Sequence, residues 1–150
     1  QTLAQADWVV ASVHYGQNQP QDRITGRIVD ALAHPAVCAI GHPTGRLLGR
    51  RERYAVDVER VIDAAAEHGK FLELNANPLR LDLDDMHCAL ARQRGVLIVI
   101  STDAHSTDGL NVMRYGVLQA RRAGLEARHV LNARPWSQFE KLLRRARGSP

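Results

Sequence analysis

The sequence predicts an α/β fold on a parallel sheet, about four βα units long, that amounts to the C-terminal portion of a barrel. Three observations predict it. Short apolar runs alternate with amphipathic stretches along the chain, the pattern of βα repeats rather than of hairpins. Several amphipathic stretches stop at a glycine (Gly69, Gly95, Gly124), the residue that most readily takes the left-handed backbone closing a helix. Polar residues gather just after the apolar runs, and parallel strands present such ends on one rim.

Residues 8–14 (WVVASVH) read as the first strand and 24–33 as a helix. Residues 37–41 form the second strand, followed by an arginine-rich loop through Arg53. Residues 55–68 carry helical periodicity at Val58, Val61, Ile62 and Ala65. Residues 71–75 are the third strand, 82–94 a helix and 96–100 the fourth strand. Helices over about 110–123 and over 136–147 complete the pattern. The last ends in Arg144, Arg145 and Arg147, which suit a negative helix C-terminus as well as a contact with DNA. Four strands cannot close a barrel that needs about 200 residues or more. An unpaired sheet edge is therefore expected.

At 150 residues and 45% hydrophobic, the chain has material for one modest core. No window approaches the roughly 18 apolar residues of a membrane span, so no membrane partner is expected. Gln1 is not an initiator Met, no basic n-region with an apolar h-region follows, and a strand pattern starts at Trp8. The chain is expected to be cut from a longer polypeptide. Cys38 and Cys88 lie in apolar stretches without a CxxC pair, as suits reduced thiols in the cytoplasm. The net charge is +4, and all basic residues except Lys70 and Lys141 are arginine. That excess is compatible with phosphate or nucleic-acid partners, and equally with the composition of the genome.

The rim is where chemistry is expected. Asp103 and His105 follow the fourth strand in Ile100-Ser101-Thr102-Asp103-Ala104-His105. Two such groups spaced by one residue would share a face if the strand continued. His14 closes the first strand, His42 the second (IGHPTGR), and Asn75 and Asn77 the third. His14, His42, Asp103 and His105 are thus the candidate metal ligands, with Asp103 and His105 acting catalytically through the metal. Arg46 and Arg80 follow strand ends two and three and are candidate phosphate contacts. The run Arg50-Arg51-Glu52-Arg53 reads as a solvated loop. His34, His68, His87 and His129 read as structural, and Asp84 and Asp85 as first-turn helix acids. There is no Walker A sequence, no GxGxxG after a strand and no GxSxG elbow.

The segments SVHYG, IGHPTGRLLGRR, LELNANPLRLDL, ISTDAHS, MRYGVLQARRAGL and VLNARP resemble the PHP (polymerase and histidinol phosphatase) domain. HPTGR and ELNANPLRLDL resemble more specifically the copy carried by X-family DNA polymerases (PolX). The resemblance implies a distorted (βα)7 TIM-like barrel whose strand ends hold a trinuclear cluster of Mn²⁺ or Zn²⁺. It implies that His14 and His42 serve one metal, Asp103 its neighbour and His105 the third. It further implies Mn²⁺-dependent 3′–5′ exonuclease activity on DNA 3′ ends, with the N-terminal barrel half and a polymerase core as partners in the same polypeptide. The HxH pair and bridging Glu of that first half have no counterpart here, so the isolated chain is expected to be metal-poor and inactive. The alternatives are a histidinol-phosphatase-like enzyme acting on a small phosphate monoester, a non-catalytic DNA-positioning module and, less in keeping with the arginines, an amidohydrolase.

Overall fold

A computed structural model describes residues 2–148. Four parallel strands lie in sequence order: β1 (Val10–Ala11), β2 (Ala39–Ile40), β3 (Phe71–Asn75) and β4 (Ile98–Ser101). The helices are α1 (Thr2–Gln5), α2 (Gln21–Ala33), α3 (Val58–Glu67), α4 (Asp85–Gln93), α5 (Met113–Arg122) and α6 (Trp136–Ala146). Each strand beyond the first is reached through a helix, so every strand C-terminus falls on the same rim.

Strand alternation gives the sheet two different faces. Ile40, Leu72, Leu74, Ile98 and Ile100 point to the main core, where Ile24, Ile28 and Leu32 of α2, Val61, Ile62 and Ala65 of α3 and Ala91 of α4 are fully or almost fully buried. Helix α5 approaches closely because Gly116 has no side chain. A Cβ there would lie 2.6 Å from Ile100 Cγ2 and 2.7 Å from Ala76 Cβ.

The opposite face is apolar only at its base. Ala39 and Phe71 pack there with Trp8, Leu97 and Val99 under Phe139, Leu142 and Ala146 of α6. Trp8 stacks on Phe71 at 6.0 Å and tilts against Phe139 at 5.8 Å, pairs worth about 0.5–1.5 kcal/mol each beyond their burial. Buried Lys70 fastens the end of α6 to this base, donating to Ala146 O at 2.5 Å, His34 O at 3.3 Å and Pro35 O at 3.4 Å. Toward the rim the same face turns polar, with Glu73, Asn75 and Ser101 in the alternate positions.

The two sheet edges differ. Among the described residues β1 pairs only with β2. Beyond β4, Val130 forms a parallel bridge to Ile98. Asn132 continues that line with its side chain, accepting from Ile100 N–H at 3.1 Å and donating to Ile100 O at 2.8 Å. The amide thus imitates one residue of a fifth strand, so the expected exposed edge is closed on this side.

Several boundaries correct the expectations from sequence. Strands one and two pair over two residues each, not over 8–14 and 37–41. The fourth helix starts at Asp85 rather than 82, because Asp82 turns into the loop after β2 and Asp84 is the N-cap, accepting from His87 N–H at 2.9 Å. The stretch expected as a helix over 110–123 opens with a 3₁₀ segment, Asp108–Val112, before α5.

Candidate metal centre

His14 and His42 meet on the rim. Their rings are 5.2 Å apart and edge-on at 85°. Simple alternation would send His42 the same way as Ile40, toward the helices. Its left-handed backbone, φ 33°, redirects it. Leu81 (φ 44°) and Asp103 (φ 54°) share that unusual conformation. All three follow strand ends on one rim, and each costs on the order of 1–3 kcal/mol that the surrounding contacts must offset.

The His42 ring is buried, and its Nδ1 has no hydrogen-bond partner among the described residues. Burial, and then the positive charge of Arg80, lower its pKa and favour the neutral imidazole. A neutral ring with an unused lone pair is the state a metal requires. His14 is exposed, and its Nε2 lies 2.7 Å from Ser12 Oγ.

Glu73, which sequence reasoning passed over, sits directly beneath. Its Oε2 accepts from His42 N–H at 2.5 Å and from Asn75 Nδ2 at 3.4 Å, and its Oε1 accepts from Ser101 Oγ. One carboxylate therefore ties the ends of β2, β3 and β4. Burial raises its pKa, against the opposing pull of Ser101 and the His42 N–H. The signal was present in the sequence: a lone acid at the inward position of Phe71-Leu72-Glu73-Leu74-Asn75.

A second carboxylate sews the loops after β2 and β3 together. Fully buried Asp82 accepts from Thr44 N–H at 3.0 Å and Gly45 N–H at 2.9 Å. Burial pushes its pKa up to about 6. Gly45 has φ 63°, and a Cβ on it would lie 2.1 Å from Tyr54 Cε1. Arg46 crosses the same seam. Its Nε donates to Arg80 O at 2.8 Å, its Nη2 donates to Leu81 O, and its Nη1 lies 3.7 Å from Asp84 Oδ2. All three of its nitrogens face partners within the chain.

Arg80 is placed differently. Its Nε lies 3.5 Å from Asp103 Oδ2, and its Nη1 is buried without a partner among the described residues. Asp103 and His105 do not share a strand face as expected, because β4 ends at Ser101. Both lie in the exposed loop beyond it, with His105 Nδ1 2.8 Å from Asp103 O.

Of the four candidate ligands, the fold brings two together in contact, His14 with His42. Among the described residues no three His, Cys, Asp or Glu side chains converge on one point that could hold a metal. The donor chemistry of the His pair fits part of a metal site and not a whole one. Three of the histidines set aside have local partners: His34 Nδ1 accepts from Ala36 N–H, His129 Nδ1 from Glu126 N–H, and His87 pairs with Asp84 at 2.7 Å.

Fold and rim together define an α/β protein with a histidine pair and an arginine–carboxylate pair at the C-terminal ends of parallel strands. No protein-family model matches the chain. It is 46% identical over 143 residues to the DNA polymerase/3′-5′ exonuclease PolX of Bacillus subtilis, covering 95% of this chain and 25% of that protein. It is 32% identical over 139 residues to a "probable phosphatase" of Thermoanaerobacter sp., covering 87% of this chain and 54% of the relative. A further "probable phosphatase", of Edwardsiella ictaluri, is 28% identical over 97% of the chain and 60% of its own length. The chain thus spans about a quarter of the first relative and little more than half of the others.

Proposed function

We propose that the chain is the C-terminal portion of a distorted (βα)7 PHP barrel, and that its rim is half of a metal-dependent phosphoesterase site. In the longer protein it serves as the Mn²⁺-dependent 3′–5′ exonuclease module of an X-family DNA repair polymerase. The observation that carries this reading is the His14–His42 pair, with an unpaired imidazole nitrogen, beside the Arg80–Asp103 pair on the same rim. The greater identity to PolX than to the phosphatases favours DNA over a small ester.

His14 and His42 would hold one Mn²⁺ or Zn²⁺, Asp103 a second and His105 a third, with the remaining ligands from the other barrel half. Imidazole donors favour these ions over Mg²⁺. Such cations, when bound, would lower the pKa of a water and offset phosphate charge. The chain's own residues do the rest. Glu73 fixes the His42 backbone, and Arg80, whose Nη1 has no partner among the described residues, would offer it to a phosphate oxygen. Arg46 remains a candidate phosphate contact, but acts first by holding the carbonyls of Arg80 and Leu81 in place. The buried thiols Cys38 and Cys88 are free, as suits work in the reducing cytoplasm.

The test is a comparison of substrates on the full-length protein. With Mn²⁺, nucleotide release from a 3′-recessed DNA primer is expected to exceed phosphate release from histidinol phosphate. Activity confined to the small ester would sink the exonuclease reading. It would establish the second one, a phosphatase, which the longer share of the phosphatase relatives covered by this chain favours.

A further inference from the structure

The turn over residues 47–53 is more than the solvated loop its composition suggests. It is folded on itself, with Leu47 and Arg51 exchanging main-chain hydrogen bonds of 2.8 Å each way and Gly49 at φ 71°. Leu48 N–H donates to Leu79 O at 2.6 Å, so the turn is also fastened to the loop after β3. Beside it opens a cavity of about 640 Å³ whose wall includes Arg46, Arg50, Arg51, Arg53 and two acids, Glu52 and Asp84.

The charges in that wall are not equivalent. Arg46 is engaged with backbone carbonyls and Asp84, and Arg51 donates to Gly45 O at 2.7 Å. Asp84 is bound by His87 as well as facing Arg46. Burial pushes its pKa up, but His87 and Arg46 outweigh that and hold it at about 2. Arg50 and Arg53 are exposed, and among the described residues their guanidiniums make no hydrogen bond or ion pair. Glu52 is the one acid of the wall without a partner among them. Two free guanidiniums thus stand on a fixed turn, next to the residue that holds Arg80 in place. Leu48 and Leu79, each 42% exposed, add apolar surface on the same edge.

We propose that Arg50 and Arg53 form a second anion subsite, which holds the phosphate backbone of a nucleic-acid single strand as it leads to the rim. The inference rests on the phosphoester reading of the rim and names its substrate as a polyanion. A monoester with one phosphate is served by Arg80 and leaves this subsite without a ligand. A strand carries further phosphates for guanidiniums to bind, and its sugars and bases suit the two leucines.

The experiment is binding of a fluorescein-labelled oligothymidylate to the full-length protein, followed by fluorescence anisotropy across a NaCl series in EDTA. Without divalent cations no hydrolysis is read, so the result does not depend on the catalytic reading, which fails separately if the full-length protein hydrolyses no phosphoester with Mn²⁺. Each phosphate contact on a single strand contributes about −0.7 to the slope of log K against log salt. The double variant Arg50→Ala/Arg53→Ala is therefore expected to lose about 1.4 of that slope. The control Arg23→Ala/Arg121→Ala removes two exposed arginines from α2 and α5 and is expected to keep the wild-type slope. No binding by the wild type, an unchanged slope in the first variant, or an equal fall in both would overturn the proposal.

Discussion

Asp82 and Asp84 lie two residues apart and are driven in opposite directions by their surroundings. Asp82 is sealed against the main chain of Thr44 and Gly45, and burial raises its pKa to about 6 from an ordinary carboxylate value. The folded chain therefore binds that proton more tightly than the unfolded chain. Asp82's contribution to stability is full below about pH 4 and is lost as pH rises through about 6, on the order of 3 kcal/mol. Asp82→Asn keeps an acceptor for both N–H groups without the charge. It is expected to flatten the unfolding free energy between about pH 4 and 6 and to raise stability at pH 7 by up to about 3 kcal/mol. Urea unfolding at several pH values measures this, and a less stable variant at pH 7 would show that the charge itself holds the loop. Asp84, held at about 2, behaves oppositely, stabilising above about pH 4 and losing that contribution as pH falls toward 2. At Gly45 the constraint is steric. Gly45→Ala places a methyl where Tyr54 Cε1 stands 2.1 Å away, on a backbone at φ 63°. A loss of at least about 2 kcal/mol is expected in thermal or urea unfolding, and a variant as stable as wild type would contradict the close packing of this loop.

At the scale of elements, the sheet is finished on one side by a side chain. Asn132 supplies both hydrogen bonds that a neighbouring strand would give to Ile100. Asn132→Ala is expected to cost about 1 kcal/mol and to speed hydrogen exchange at the Ile100 amide. Unchanged exchange there would mean that the edge is protected by something else. The strands and helices were largely legible, because apolar periodicity and stop signals are local. Phe71–Asn75 was read with its correct bounds, and Gly69, Gly95 and Gly124 all take the positive φ that the helix ends require. What escaped is non-local. Val130 and Asn132 carry no strand pattern, and Asp82 reads as a helix acid until the loop after β2 is folded against it.

For the whole molecule, the rim was legible as a set of positions but not as a site. The residues His14, His42, Arg80 and Asp103 could be placed at successive strand ends from their spacing alone. Their orientations could not, since His42 and Asp103 depend on left-handed backbones, which His and Asp adopt more often than most residues but which no local pattern announces. Glu73, the carboxylate joining three strand ends, belonged to an apolar strand and drew no notice. Two histidines in contact are fewer than a metal centre needs, and in the proposed reading the other ligands would come from another part of the longer protein. The most direct test of that account is Asp103→Asn in the full-length protein, assayed with Mn²⁺ on a 3′-recessed DNA primer. Loss of a carboxylate metal ligand predicts a fall in nucleotide release of at least about 100-fold with folding unchanged. Nuclease activity equal to wild type would contradict it and leave the rim a structural or DNA-positioning surface.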